Sequence, residues 1–158
     1  MSFLSHADNV SINFTGAIKA AACDISSGAN QTVPLGDVST TNFGNPGDVS
    51  QATSFSIVLD CPAGGPDKAT VTFSGTAASD PTLLALDAGT GVATGVAVRI
   101  NEDDGTTQVK LNTPSATTTL ATGANTLKFT AQYQALVDRP QITAGVANAT
   151  AQFTINYP

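Results

Sequence analysis

The most regular pattern in the chain lies near its C-terminus. From Ala147 to Tyr157 every odd position is apolar: Ala147, Ala149, Ala151, Phe153, Ile155 and Tyr157. The even positions, Asn148, Thr150, Gln152, Thr154 and Asn156, are all polar. Side chains of a strand alternate between faces, so this run predicts one strand with a dry face and a wet face. Such a strand needs a neighbour on each edge and a core beneath it. Only Pro158 follows, which raises the question of what covers the free edge.

The same alternation recurs upstream. Val10, Ile12, Phe14, Gly16, Ile18 and Ala20 predict a long first strand. Residues 31–38 predict a short one, with Val33 and Leu35 on one face. Phe55, Ile57, Leu59 and Cys61 mark the next dry face, and Val71 and Phe73 point inward from residues 69–74. Leu83, Leu84 and Leu86 predict a short strand, Val96, Val98 and Ile100 another. Leu127, Phe129, Ala131, Tyr133 and Ala135 alternate cleanly. Between these runs lie turn signals: residues 42–47, residues 64–67, and Asp103, Asp104 and Gly105 leading as a hairpin into residues 108–111. No helical period of useful length and no internal repeat is present. Seven to nine strands suit an all-β Greek-key sandwich of immunoglobulin-like character.

Composition narrows the function. The chain has 158 residues, the size of one ordinary domain, with 11% charged and 41% hydrophobic residues. The net charge is −6 and no basic patch is present, so nucleic acid is not an expected partner. No apolar stretch reaches the length of a membrane helix. The only cysteines are Cys23 and Cys61; an even count, with no CxxC and no nearby histidine, favours a disulfide over a metal site. The alternative is a pair of buried free thiols. A bridge closing such a loop is worth on the order of 4 kcal/mol in the chain-entropy picture. Ser5, His6 and Ala7 resemble the end of an export signal, so residues 1–7 are expected to be a signal remnant or an added start, with Asp8 opening the mature chain.

Candidate chemistry is sparse. His6 is the sole histidine, which removes histidine triads and histidine-rich metal sites. Residues 102–105 are acidic, but their spacing fails the calcium-loop pattern and suits a solvated turn. Gly89, Gly91 and Gly95 lack the strand–helix setting of a phosphate loop. Asp80 and Asp87 flank a strand, yet nothing pairs them as glycosidase carboxylates. Asn-x-Ser/Thr triplets at Asn9, Asn13, Asn30 and Asn148 are expected by chance in a Thr-rich chain. Neither an enzyme nor a cofactor is expected.

An ordered set of short motifs changes the picture. Phe14, Thr15 and Gly16 precede three alanines and Cys23. Gln31, Thr32, Val33, Pro34, Leu35 and Gly36 lie between the cysteines, and Leu59 and Asp60 lead into Cys61. Val71, Phe73 and Gly75 follow, then Leu83, Leu86, Gly95 and Val98. A glycine fourteenth from the end (Gly145) and a penultimate tyrosine (Tyr157) close the series. In this series, covering residues 8–158, the chain resembles the pilin subunits of bacterial chaperone–usher pili. It is most similar to the major shaft subunits of type 1-like fimbriae.

That resemblance implies an incomplete immunoglobulin-like Greek-key sandwich that lacks its last strand and is completed by a donor strand. Residues 8–16 would be the N-terminal donor extension, with Val10, Ile12, Phe14 and Gly16 as the inserted positions, and residues 17–158 the pilin domain, whose own first strand would take residues 17–22. The acceptor groove and chaperone-binding surface would comprise Gly145, Ala147, Ala149, Ala151, Phe153, Ile155, Tyr157 and the terminal carboxylate of Pro158. Cys23 and Cys61 match the family's spacing. Implied partners are neighbouring pilin subunits, a periplasmic chaperone and an outer-membrane usher, and the implied location is the bacterial surface pilus. The rivals are a minor adaptor pilin, a secreted carbohydrate- or receptor-binding module, and a complete secreted β-sandwich.

Overall fold

Strands form where an alternating run finds a partner alongside. The computed structural model describes residues 11–18 and 21–158, and these residues carry seven strands in two antiparallel sheets. They are β1 (Asp24–Ser27), β2 (Thr53–Cys61), β3 (Lys68–Gly75), β4 (Val96–Glu102), β5 (Thr118–Thr119), β6 (Gly123–Ala135) and β7 (Ala151–Asn156). One sheet has the order β1-β2-β6-β4, the other β5-β3-β7. The register sets dry positions opposite one another: Phe55 faces Phe129, Ile57 faces Leu127, Ile100 faces Ala131, and Phe73 faces Phe153. Such cross-strand pairs fix the register, because a one-residue slip would turn every apolar side chain to water.

The two sheets meet over these inward faces. Ile57, Leu59, Val71 and Leu83 are fully buried. Phe73 is the hub between the layers: its ring lies edge-on to Phe129 at 5.1 Å and to Phe55 at 5.9 Å, and 6.4 Å from Phe153. Each such pair adds about 0.5–1.5 kcal/mol beyond area burial. Cys23 and Cys61 form the disulfide, 38 positions apart in sequence, with Cα atoms 4.2 Å apart. The amide of Asn125 fastens the same corner: its nitrogen donates to Ala121 O (2.8 Å) and Gly123 O (3.0 Å), and its oxygen accepts the Ala121 N–H (2.9 Å).

Four expectations are corrected. Residues 11–18 form no strand, residues 21–22 form none, and β1 begins only at Asp24. Residues 31–38 form no strand either, although Val33, Leu35 and Val38 turn partly inward. Among the described residues they share no main-chain hydrogen bond with a neighbouring segment, and Pro34 has no N–H to give. Leu84 makes only single bridges to Val98 and Ala77, so residues 83–86 stay irregular. The last strand is shorter than its alternation, because β3 runs out at Gly75 opposite Ala151. The hairpin after β4 forms as expected, with Glu102 N–H donating to Thr107 O and Val109 N–H to Ile100 O, both 2.8 Å.

Candidate functional site

Strand β7 has β3 along one edge and, among the described residues, no strand along the other. The facing wall is the segment 28–37, without main-chain partners among the described residues; the Gln31 side chain ties it to β2, donating to Ser56 O (2.9 Å), and also donates to Gly28 O within the segment (3.1 Å). A groove of about 630 Å³ lies between the two walls. Val33 and Leu35 line it from one side, and Ala147, Ala149, Ala151 and Phe153 from the other. Its floor is the core itself: Phe55, Ile57, Phe73, Ile100 and Tyr133. Beyond Tyr133 a second cavity of about 530 Å³ continues toward Gly145, lined by Phe43, Val96, Ile142 and Ala147. Gly36, Asp37, Tyr133, Ala147 and Asn148 border both, so the two form one channel.

Its chemistry is apolar side chains below and, among the described residues, main chain without a strand partner at both rims, although Asn148 O accepts the Asp87 N–H at 2.7 Å. Backbone donors and acceptors left facing a dry slot are costly unless paired. A single extended segment fits those needs: its two edges pair with the rims and its alternate side chains enter the floor. Tyr133 stands at the junction, its hydroxyl donating to Ala147 O at 2.5 Å. Burial, and then the Asp37 carboxylate, raise that hydroxyl above the ordinary tyrosine value, which keeps it a donor.

Gly145 is placed where only a glycine fits. A Cβ there would stand 2.6 Å from Ala93 N and 2.9 Å from Val92 C, and would strike the Gly91 carbonyl. The approach allows Val146 N–H to bond Gly91 O and Ala93 N–H to bond Val146 O, both 2.8 Å. The glycine-rich segment 89–95 therefore packs against the channel's end.

The remaining sequence-predicted residues lie as follows. Ile155 and Tyr157 are half-buried against the core past Phe153, and Tyr157 hydroxyl donates to Cys23 O at 3.4 Å. Pro158 is exposed. Val10 lies outside the described residues. Ile12 and Phe14 are exposed, Phe14 at 91%, and a Cβ on Gly16 would meet nothing within 4 Å. Val33, Leu35, Phe43 and Tyr133 complete the channel but were not assigned to it from sequence, because alternation marks Val33, Leu35 and Tyr133 as dry without saying which dry residues stay uncovered.

The acidic candidates are occupied locally. Asp104 accepts from Thr106 N–H, Thr107 N–H and the Thr107 hydroxyl, which hold its carboxyl down to about 2. Asp80 accepts from Thr82, and Asp87 from the Thr150 hydroxyl. Among the described residues no group of three or more His, Cys, Asp or Glu side chains is placed to hold a metal ion.

Comparison with known proteins agrees with the architecture. A family model described as fimbrial protein matches residues 12–158. Long polar fimbria protein A of Salmonella typhimurium is 37% identical over 158 residues, covering 98% of this chain and 87% of that one. Type-1 fimbrial protein, A chain, of Escherichia coli is 40% identical over 153 residues, covering 92% of this chain and 81% of that one. A type I fimbria protein of Burkholderia pseudomallei has a solved structure that matches with a TM-score of 0.66 at 35% identity, over 88% of this chain and 91% of that chain. The P pilus rod subunit PapA shares the fold, with a TM-score of 0.68 at 24% identity over 87% of this chain and all of that one (100%). The chain belongs to the fimbrial protein family: it is a structural subunit of a bacterial surface pilus, built on an incomplete immunoglobulin-like sandwich.

Proposed function

We propose that the channel beside β7 is the seat of a strand supplied by another molecule, and that this exchange is how the subunit polymerises. One observation carries the reading. Among the described residues the outer edge of β7 has no strand beside it and the segment 28–37 no main-chain partner, while the same chain exposes Ile12, Phe14 and Ile18 on one side of the strand period. In the fibre, Val10, Ile12, Phe14 and Gly16 of one subunit would fill the channel of the next. Before assembly, a periplasmic chaperone would lend the strand and hold the region from Gly145 to Pro158, including Ile155, Tyr157 and the terminal carboxylate. An outer-membrane usher would then bring successive subunits together. A homopolymeric rod follows if the chain's own extension fits its own type of channel.

The test is a melt of the oxidised chain refolded with and without excess peptide of residues 8–18. Peptide at about 100 times its Kd stabilises by about 2.7 kcal/mol. For a domain of this size that raises Tm by roughly 5–11 °C. A control peptide with Ile12→Ser and Phe14→Ser should give almost none of that rise. A monomer that is already stable and does not respond to peptide would defeat the proposal. An unstable chain that responds to a chaperone but not to this peptide would instead support the adaptor role.

A further inference from the structure

We infer that Arg139 is a positioning residue for the incoming strand, holding apart at a set distance the two turns that wall the Gly145 end of the channel. This rests on the channel being a strand seat. One wall runs through Val38, Ser39 and Thr40 to Phe43, around the 3-10 turn Thr40–Asn42; the other runs from Ile142 to Gly145, directly after the 3-10 turn Arg139–Gln141. The second cavity lies between them. The Arg139 side chain crosses from one turn to the other. Its Nε donates to Phe43 O at 2.6 Å, its Nη2 to Thr41 O at 3.0 Å, and its backbone N–H to Gly44 O at 3.2 Å.

Among the described residues no other hydrogen bond joins residues 36–44 to residues 137–148. The wall it grips is braced from behind, because the Asp48 carboxylate accepts the Gly44 and Asn45 N–H groups at 2.8 and 2.9 Å. Arg139 does not itself line the cavity, so it acts through Phe43 and Ile142, which do. A guanidinium is well matched to such a span. Its rigid fork holds two carbonyls in one orientation and stays charged, whereas an ammonium is a single point of attachment. Without the fork, residues 38–43 would sample other positions. The apparent affinity for a strand would then fall by the fraction of time the channel end is correctly spaced.

The experiment is a titration of the full oxidised chain with labelled peptide of residues 8–18, comparing the parent with Arg139→Gln and Arg139→Lys. Two further peptides carry serine in place of Val10 and Ile12, or in place of Ile18. Arg139→Gln should weaken the intact peptide roughly tenfold, the equivalent of about 1.4 kcal/mol. The loss should persist for one altered peptide and vanish for the other, whose missing anchor would have occupied the Gly145 end. Arg139→Lys should recover part of it. An equal loss for all three peptides, matched by an equal fall in the peptide-free Tm, would make Arg139 a fold residue only and overturn the inference. So would no loss at all. If the parent binds none of the peptides, the strand-seat reading fails and this inference fails with it.

Discussion

Replacing Gly145 by alanine tests the account of the channel's far end. The backbone conformation there is one that alanine accepts, since Gly145 is not among the residues of positive φ. The obstacle is space. The added Cβ would lie 2.6 Å from Ala93 N and 2.9 Å from Val92 C, and main-chain atoms cannot swing aside as a side chain could. Restoring ordinary contact near 3.4 Å requires the two segments to part by about 0.8 Å. The bonds from Val146 N–H to Gly91 O and from Ala93 N–H to Val146 O, now 2.8 Å, would open to about 3.6 Å. That is beyond hydrogen-bond reach. Two lost bonds at about 1 kcal/mol each give about 2 kcal/mol, or a Tm lower by roughly 4–8 °C. Gly47→Ala is the matched control: φ is 92°, but nothing lies within 4 Å of the new Cβ. It carries only backbone strain, about 1–2 kcal/mol. Thermal melts should therefore place Gly145→Ala roughly 4–8 °C below the parent and Gly47→Ala roughly 2–8 °C below it, and Gly145→Ala melting within about 1 °C of the parent would refute the close approach as the reason for this glycine.

Two other substitutions probe the core and a turn. Phe73→Ala removes the ring that touches Phe55, Phe129 and Phe153 from a site that is only 4% exposed. Urea unfolding should show a loss of about 3–5 kcal/mol, and a loss under about 1 kcal/mol would mean the sheets do not depend on this hub. Asp104 is held below the usual value of 3.8, at about 2, by the Thr107 hydroxyl, the Thr107 N–H and the Thr106 N–H. A depressed carboxyl adds stability above its unfolded value and loses it as pH falls toward the folded one. The urea midpoints of parent and Asp104→Asn should differ at pH 6 and converge near pH 2, whereas a constant gap would contradict the assignment.

The alternating runs that meet a long strand partner were legible from sequence. Residues 55–61, 69–74, 96–100 and 127–135 lie in β2, β3, β4 and β6, with their dry faces inward. The cysteine pairing was legible too. What alternation could not supply was a partner. Val33 and Leu35 carry the strand pattern, yet among the described residues no strand lies alongside the segment to pair with it. Likewise Ala147 and Ala149 continue the period of β7 beyond the last residue of β3 able to meet them. The two-residue β5 is too short to leave a period. Arg139 was invisible for a different reason: its work lies in reaching the carbonyls of Thr41 and Phe43, almost a hundred positions upstream. Half of the site, the apolar positions of the last strand, could thus be read, while the opposite wall and its fastening required the fold.

The disulfide also has a mechanical consequence. Asp24 pairs with Asp60, so Cys23 and Cys61 sit at the matching outer ends of β1 and β2. A pull on the chain ahead of Cys23 would otherwise peel β1, a four-residue edge strand, from its neighbour one bond at a time. With the bridge in place, the load leaves Cys23 through sulfur and enters β2 directly. That strand lies inside its sheet and is paired with β6 at nine successive positions, from Thr53 to Cys61. Tension arriving from the N-terminal side therefore bypasses this short edge strand and is spread in shear over the longest strand pairing among the described residues.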